Sequence, residues 1–238
     1  MCSSDLGVEI GDANLVAVQK QLIEAANSAN KVVITATQMM ESMISAPTPT
    51  RAEVFDVANA VLDGTDAVML SAETAVGSYP IETVTAMARV IEGAEKHPLA
   101  QRSKHRIDET FERIDESLAL SAMYVANHLK GVKAVICMTE TGFTPLLMSR
   151  ITSSLPIYAL AEKAGTCEIT ALYKGVVPVP FETSKLDPVE INHLAVEKLR
   201  EYNAVNDGDL VLITKGDFVN VQGGTNTLKI VRVGDQIR

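Results

Sequence analysis

The chain alternates short apolar runs with longer segments in which apolar residues recur every three or four positions. A β-branched run at 32–37 and a second short run at 66–70 (DAVML) predict two strands buried on both faces. Helical periodicity covers 12–29, and Thr50–Glu53 has the pattern of a capping box that begins a second helix. A third helix is predicted from Pro80 to about 94. Strands that each precede a helix at this spacing are typical of a β/α barrel or an open doubly wound sheet.

The length of the first region limits how much of a barrel it can form. A barrel of eight units uses roughly 30 residues per unit, so residues 1–97 hold two full units and the tail of a third. We therefore predict a partial barrel over 1–97, comprising the last β/α units. Residues 98–113 are charged and aperiodic, and they predict a linker.

Residues 114–238 repeat the α/β pattern and predict a separate domain. A helix is expected over 114–130, with a largely inward face formed by Ile114, Leu118, Met123, Val125 and Leu129. Strands are expected near 134–138, 156–160, 176–180, 209–214 and 227–233, with helices after the first three of them. The fold class is α/β throughout.

Composition and charge exclude several classes of protein. The chain has 238 residues, 47% of them hydrophobic, and a formal net charge of −9. This acidity argues against nucleic acid and anionic membrane surfaces as partners, since both are bound by basic groups. The three cysteines are far apart, which excludes a disulfide scaffold and fits the cytoplasm, and the first residues lack the features of a secretory signal.

Polar residues stand where the predicted strands of the first region end. They are Asp5, Thr37, and the pair Ser71 and Glu73. Carboxylate and hydroxyl oxygens at the carboxyl ends of strands suit Mg²⁺ and a phosphorylated substrate. Alternatively, the hydroxyls only cap the helices that follow, and Asp5 is a solvated residue.

The second region has one comparable junction, between the strand at 134–138 and the next helix. Its loop contains Thr139, Thr141, Gly142 and Thr144, which together could cradle an anion. Alternatively, it is an ordinary capped turn. A Gly/Thr cluster at 222–227 could close over the same ligand or form a plain hairpin turn. Met39, Met40 and Met43 are expected to fill the core.

Several of these segments, in this order and spacing, resemble pyruvate kinase. They are Asp5-Leu6-Gly7-Val8-Glu9-Ile10, residues 34–43 (ITATQMMESM), residues 49–53 (PTRAE), residues 56–60 (DVANA) and residues 63–74 (DGTDAVMLSAET). The resemblance covers residues 5–238, and the bacterial form regulated by AMP or sugar phosphates is the most similar. It implies the C-terminal portion of a (β/α)8 TIM barrel followed by an effector-binding α/β domain.

The resemblance implies phosphoryl transfer from phosphoenolpyruvate to ADP, giving pyruvate and ATP, with Mg²⁺ and K⁺ as cofactors. Asp5 matches the metal-binding aspartate, which also touches substrate, and Thr37 matches a threonine that contacts substrate. Ser71 and Glu73 match a polar pair that the family is thought to use in moving the enolpyruvate proton. Ser4 stands where the family has a substrate-binding glycine. The loop residues Thr139, Thr141, Gly142 and Thr144 match the family's effector phosphate loop.

The resemblance also shows what the sequence lacks. The family's upstream active-site residues, its K⁺ ligands and its lid domain have no counterpart here, and Phe143 and Leu146 occupy loop positions that are often basic in relatives. We expect a homotetramer for the full-length enzyme and an inactive protein for the isolated chain. The alternative is a non-catalytic module for effector binding and oligomerisation.

Overall fold

The computed structural model describes residues 11–36, 38–97, 110–184, 186–216 and 224–235, without the side chains of 12 and 13. The chain divides into two compact units, Met1–Gln101 and Arg102–Arg238. The domain limits expected from the sequence (1–97, a linker at 98–113, and 114–238) remain predictions, because residues 98–109 lie outside the described part.

The first unit contains a pair of parallel strands accompanied by helices. In chain order its elements are α1 (Asp12–Ser28), β1 (Ile34–Ala36), a 3₁₀ helix (Glu41–Ile44), α2 (Arg51–Leu62), β2 (Ala67–Met69), α3 (Ala72–Ala75) and α4 (Pro80–Glu95). Strands β1 and β2 pair in parallel, with Thr35 opposite Val68. This is the β/α order that the sequence predicted.

The start of α2 is fixed by the predicted capping box. The Thr50 side chain accepts a hydrogen bond from the Glu53 amide, and the Glu53 carboxylate accepts one from the Thr50 amide at 2.7 Å. The same carboxylate also accepts hydrogen bonds from the amide and hydroxyl of Ser42, each at 2.6 Å. Glu53 therefore ties the 3₁₀ helix to the first turn of α2.

The core of the first unit is rich in methionine. It contains Met39, Met40, Met43, Val57, Ala86 and Met87. The prediction that the methionines fill the core is confirmed. The prediction that both strands are buried on both faces is wrong, because Ile34 and Met69 are 47% and 45% exposed. In the described residues, β1 and β2 pair only with each other.

The second unit is an α/β layer structure with a five-stranded sheet. Its elements are α5 (Ile114–His128), β3 (Val132–Met138), α6 (Phe143–Ser149), β4 (Ile157–Ala161), α7 (Ala164–Thr170), β5 (Val176–Pro180), α8 (Ile191–Glu201), β6 (Leu210–Gly216) and β7 (Thr225–Arg232). The strand order is β5-β4-β3-β6-β7. All neighbours are parallel except β6 and β7, which form an antiparallel pair.

Small and branched side chains hold the helices on this sheet. The α8 residues Ala195, Val196 and Leu199 pack against alternate residues of the strands, Ile136 and Ile213 among them. Helix α5 presents Ala119, Ala122 and Met123 to the core, whereas Ile114 and Leu129 are exposed. The expected inward face is therefore confirmed at Met123 and wrong at Ile114, in the first turn of α5, and at Leu129, which follows the last residue of the helix.

Candidate functional site

Strands β1 and β2 are parallel neighbours, so the segments that follow them meet at one edge of the sheet. Residues 38–40 follow β1, and Ser71 and α3 follow β2. Ser71 and Glu73 are thus the two predicted catalytic residues that the described structure places at this edge. Ser4, Asp5 and Thr37 lie outside the described residues.

Glu73 joins the two strand ends. Its side chain is buried, with 3% of the residue exposed. One carboxylate oxygen, Oε2, accepts a hydrogen bond from the Ser71 amide at 2.7 Å, and Oε1 accepts one from the Met40 amide at 3.3 Å. Both oxygens therefore accept hydrogen bonds from backbone amides. In this way the carboxylate holds the segment after β1 against the start of α3.

Ser71 has a different environment. It is exposed, and its hydroxyl caps no amide of α3 and makes no hydrogen bond within the described part of the chain. The alternative interpretation of Ser71 as a simple helix cap is therefore wrong. The pair consists of an available hydroxyl and a buried carboxylate that holds its backbone.

Two further residues support this edge and were missed from the sequence. A Cβ added to Gly77 would lie 2.2 Å from the Glu73 carbonyl oxygen, so only glycine fits behind α3. Thr65 is buried, and its hydroxyl accepts a hydrogen bond from the Thr35 hydroxyl at 3.0 Å and contacts the Val33 and Ala67 carbonyl oxygens. The only sequence signal that could have identified either residue was the glycine that follows a short predicted helix.

The loop of residues 139–144 follows β3 and is held by its own side chains and by α7. The Gly142 amide donates to the Thr139 hydroxyl at 3.0 Å, and the Thr166 hydroxyl donates to the Glu140 carbonyl oxygen at 2.9 Å. Gly142 has φ of 80°, and a Cβ there would meet the Thr170 side chain at 2.9 Å. The turn therefore requires glycine at this position.

The hydroxyls of this loop differ in availability. Thr141 is exposed, whereas Thr144 is buried and shares a hydrogen bond of 2.9 Å with the Thr225 hydroxyl at the start of β7. Within the loop, Glu140 forms an ion pair with Lys163. The pairing of β6 and β7 is that of a hairpin, and two residues of the Gly/Thr cluster (222 and 223) lie outside the described part.

The position of the loop in the sheet is that of a ligand crevice. Strand β3 connects through α6 to β4 on one side, and its other neighbour, β6, is reached through α8. The connections therefore diverge at β3. In open α/β sheets, ligands bind outside the carboxyl ends of the strands at such a switch point.

The described residues contain neither a cluster of three or more His, Cys, Asp or Glu for a metal ion nor a helix long and apolar enough to cross a bilayer. Each Glu73 oxygen accepts one amide hydrogen bond, which fixes the orientation of the carboxylate. Burial raises the pKa of the Cys137 thiol to about 12, so this cysteine is not an active nucleophile.

Fold and site together define a class of protein: the closing units of a β/α barrel followed by an α/β domain with a switch-point crevice. Comparison with known families gives the same division. Residues 1–84 match the pyruvate kinase barrel domain, and residues 116–231 match the pyruvate kinase alpha/beta domain. The chain belongs to the pyruvate kinase family, and its resemblance and fold class are confirmed.

Individual relatives agree with this assignment. Pyruvate kinase II of Salmonella typhimurium is 60% identical over 229 residues, which cover 96% of this chain and 48% of the relative. A pyruvate kinase of Haemophilus influenzae is 58% identical over 224 residues, covering 94% and 46%. One of Staphylococcus saprophyticus is 40% identical over 237 residues, covering 98% and 40%. The chain spans about half the length of the curated relatives it matches, or less.

Proposed function

We propose that this chain is the C-terminal part of a pyruvate kinase, which transfers the phosphoryl group of phosphoenolpyruvate to ADP and yields pyruvate and ATP in the cytoplasm. The observation that supports this most strongly is the Glu73 carboxylate, which holds the exposed Ser71 beside the end of β1. That arrangement lies at the carboxyl edge of the strands, where barrel enzymes carry their chemistry.

Each site residue has a proposed role. The Ser71 hydroxyl contributes to moving the enolpyruvate proton, and Glu73 positions it through the backbone rather than exchanging the proton itself. Thr37, together with Ser4 and Asp5, contacts substrate, and Asp5 also holds Mg²⁺. Bound Mg²⁺ would supply neutralisation of charge on the transferred group. The residues that would bind K⁺ are, by resemblance, not among residues 1–238.

We propose that the isolated chain has negligible activity. The two described strands of the first unit cannot close a sheet on themselves, because a barrel of this class uses eight. Phosphoryl transfer depends on positioning, and an open pair of strands positions only part of the site.

A fusion experiment tests this function. Residues 5–238 would replace the corresponding half of the Salmonella typhimurium relative, and pyruvate formation would be measured with phosphoenolpyruvate, ADP, Mg²⁺ and K⁺. We expect turnover by the fusion, none by the isolated chain, and a loss of about 100-fold or more in kcat for the fusion with Ser71→Ala. Thr85→Ala, an exposed hydroxyl of α4 that donates to the Ile81 carbonyl oxygen of the same helix, is the matched control.

Two results would contradict the proposal. A folded fusion without turnover would refute the catalytic role of this chain. Turnover by the isolated chain at the rate of the relative would refute the statement that it needs the upstream units.

We further propose that the second unit is an effector module. Its loop, with Thr139, Thr141, Gly142 and Thr144, would bind a phosphorylated effector (AMP or a sugar phosphate), and the unit would contribute to a homotetramer in the full-length enzyme. The observation in favour is the switch-point position of this loop in a unit that is compact by itself. This is also the function that the isolated chain could retain without catalysis.

A further inference from the structure

Arg113 is held in one orientation by a buried carboxylate. Its Nε donates to Asp115 Oδ1 at 3.0 Å, and its Nη2 donates to Asp115 Oδ2 at 2.6 Å. Asp115 is 1% exposed, and its Oδ1 also accepts a hydrogen bond from the Glu116 amide in the first turn of α5. The bidentate pair therefore fixes the plane of the guanidinium as well as its position.

The same guanidinium reaches the loop of residues 139–144 from outside it. Its carbon atom lies 5.0 Å from the centre of the Phe143 ring, which is the distance of a cation–π contact. Phe143 follows Gly142 and begins α6. The Arg113 side chain is 53% exposed, and its Nη1 has no partner among the residues that the structure describes. One edge of the guanidinium is thus anchored, and the other remains available beside the loop.

The charges around the loop are paired and Glu116 adds a negative charge near Arg113, so the capacity to bind an anion lies in the free edge of the guanidinium and not in an excess of positive charge. The negative charge of Glu140 is paired with Lys163. The charge of Asp115 is buried, paired with Arg113, and lies in the first turn of α5, where the helix dipole stabilises it. The hydrogen bonds and charge of Asp115 raise the pKa of Arg113, so the guanidinium stays protonated at any pH at which the protein is folded.

We propose that Arg113 is a specificity-determining residue of the effector loop, where its free edge binds the phosphate dianion of a phosphorylated ligand. The inference rests on the effector role proposed for this loop. It adds a cation that precedes the first helix of the second unit and lies 30 residues before Phe143 in the chain. The ligand class is a phosphate monoester, because a guanidinium with one free edge discriminates a charged phosphate from a neutral hydroxyl.

Titration calorimetry of the full chain with ribose 5-phosphate tests the inference, with ribose as the uncharged comparison. We expect ribose 5-phosphate to bind and ribose not to bind. Arg113→Gln should weaken binding about tenfold, the loss expected for one charge-assisted contact, and Arg113→Lys should restore part of it. Phe143→Leu keeps the ion pair but removes the aromatic support, so a smaller loss, about threefold, is expected.

Two controls separate binding from folding. Arg113→Gln leaves Asp115 buried without its partner, so the paired variant Arg113→Gln/Asp115→Asn removes both charges and should show the same tenfold loss with a retained melting transition. Lys198→Gln removes a cation from an ion pair with Glu201 on α8 and should bind as the unmodified chain does.

The outcomes distinguish this inference from the proposed effector function. Unchanged affinity in both Arg113 variants, together with loss of affinity in Thr139→Val, would overturn the role of Arg113 and leave the effector loop in place. Absence of binding by the unmodified chain to ribose 5-phosphate, AMP and inorganic phosphate would overturn both.

Discussion

Two buried carboxylates, Glu53 and Glu73, organise the first unit at the residue scale. Each accepts hydrogen bonds from backbone amides of two separate segments: Ser42 and Thr50 for Glu53, and Met40 and Ser71 for Glu73. A buried ion is stable only when such donors compensate for the lost hydration. The carboxylates therefore fix the backbone of segments whose methionine side chains (Met39, Met40 and Met43) pack in the core.

Replacing Glu53 with glutamine should destabilise the protein by about 1–3 kcal/mol near neutral pH, because an amide group cannot accept all four hydrogen bonds from Ser42 and Thr50. Urea denaturation of the full chain measures the loss. Glu92→Gln, at an exposed position of α4, is the matched control and should leave the midpoint within about 0.5 kcal/mol.

The loss in Glu53→Gln should depend on pH. Burial alone raises the pKa of Glu53, but the hydrogen bonds from Ser42 and Thr50 outweigh burial and hold the pKa below its ordinary value of 4.5. Ionised Glu53 therefore stabilises the fold fully above 4.5, and this stabilisation is lost as the pH falls through the lower pKa of the folded state. A difference between variant and unmodified chain that stays constant down to pH 2 would contradict this account.

Whether a residue-scale feature could be predicted depended on the distance to its partner along the chain. The capping box was predicted because Thr50 and Glu53 are three residues apart. The bond between Glu73 and the Met40 amide spans 33 residues, and Arg113 and Phe143 are 30 apart, so neither contact leaves a local pattern. The resemblance marked Glu73 as a site residue, but only the fold shows that its oxygens are committed to the backbone.

At the scale of elements, the loop after β3 is determined by its contact with α7. Gly142 adopts a left-handed conformation, and Thr166 and Thr170 of α7 close over it. The sequence predicted the junction of strand, loop and helix because the apolar period changes there. It could not predict that α7 leaves no room for a side chain, since that depends on how the crossover packs.

Gly142→Ala should therefore cost about 1–3 kcal/mol of stability, through strain in the backbone and the contact of the new Cβ with Thr170. Chemical denaturation measures it. Gly165→Ala, within α7 and with no atom within 4 Å of the added Cβ, is the control and should be neutral or stabilising by up to about 1 kcal/mol. Equal effects of the two substitutions would show that the left-handed turn is not needed.

At the scale of the whole molecule, the two units differ in the size of the β-sheet that each contains. The second has a five-stranded sheet with helices on it, whereas the described part of the first has one pair of three-residue strands. A two-stranded sheet is marginal in water unless other elements cover it. The sequence predicted this contrast, because the spacing of the strands gives the number of β/α barrel units that residues 1–97 can contain.

A polypeptide of residues 110–238 should consequently keep a cooperative melting transition by itself, since the core of the second unit comes from its own strands and α8. A polypeptide of residues 1–97 should not, and should associate through its open strand edges. Circular dichroism and light scattering of the two pieces measure this. A cooperative, monomeric first piece would contradict the prediction.

The methionine-rich core of the first unit has a chemical consequence. Met39, Met40, Met43 and Met87 make up four of the six residues of that cluster, and the thioether sulfur is readily oxidised once a peroxide reaches it. Sulfoxide formation would introduce a polar oxygen that the tightly packed core cannot solvate, so each oxidation would trap the unit in an opened form. The rate at which peroxide oxidises these four sulfurs would therefore measure how often the core of the first unit opens to solvent.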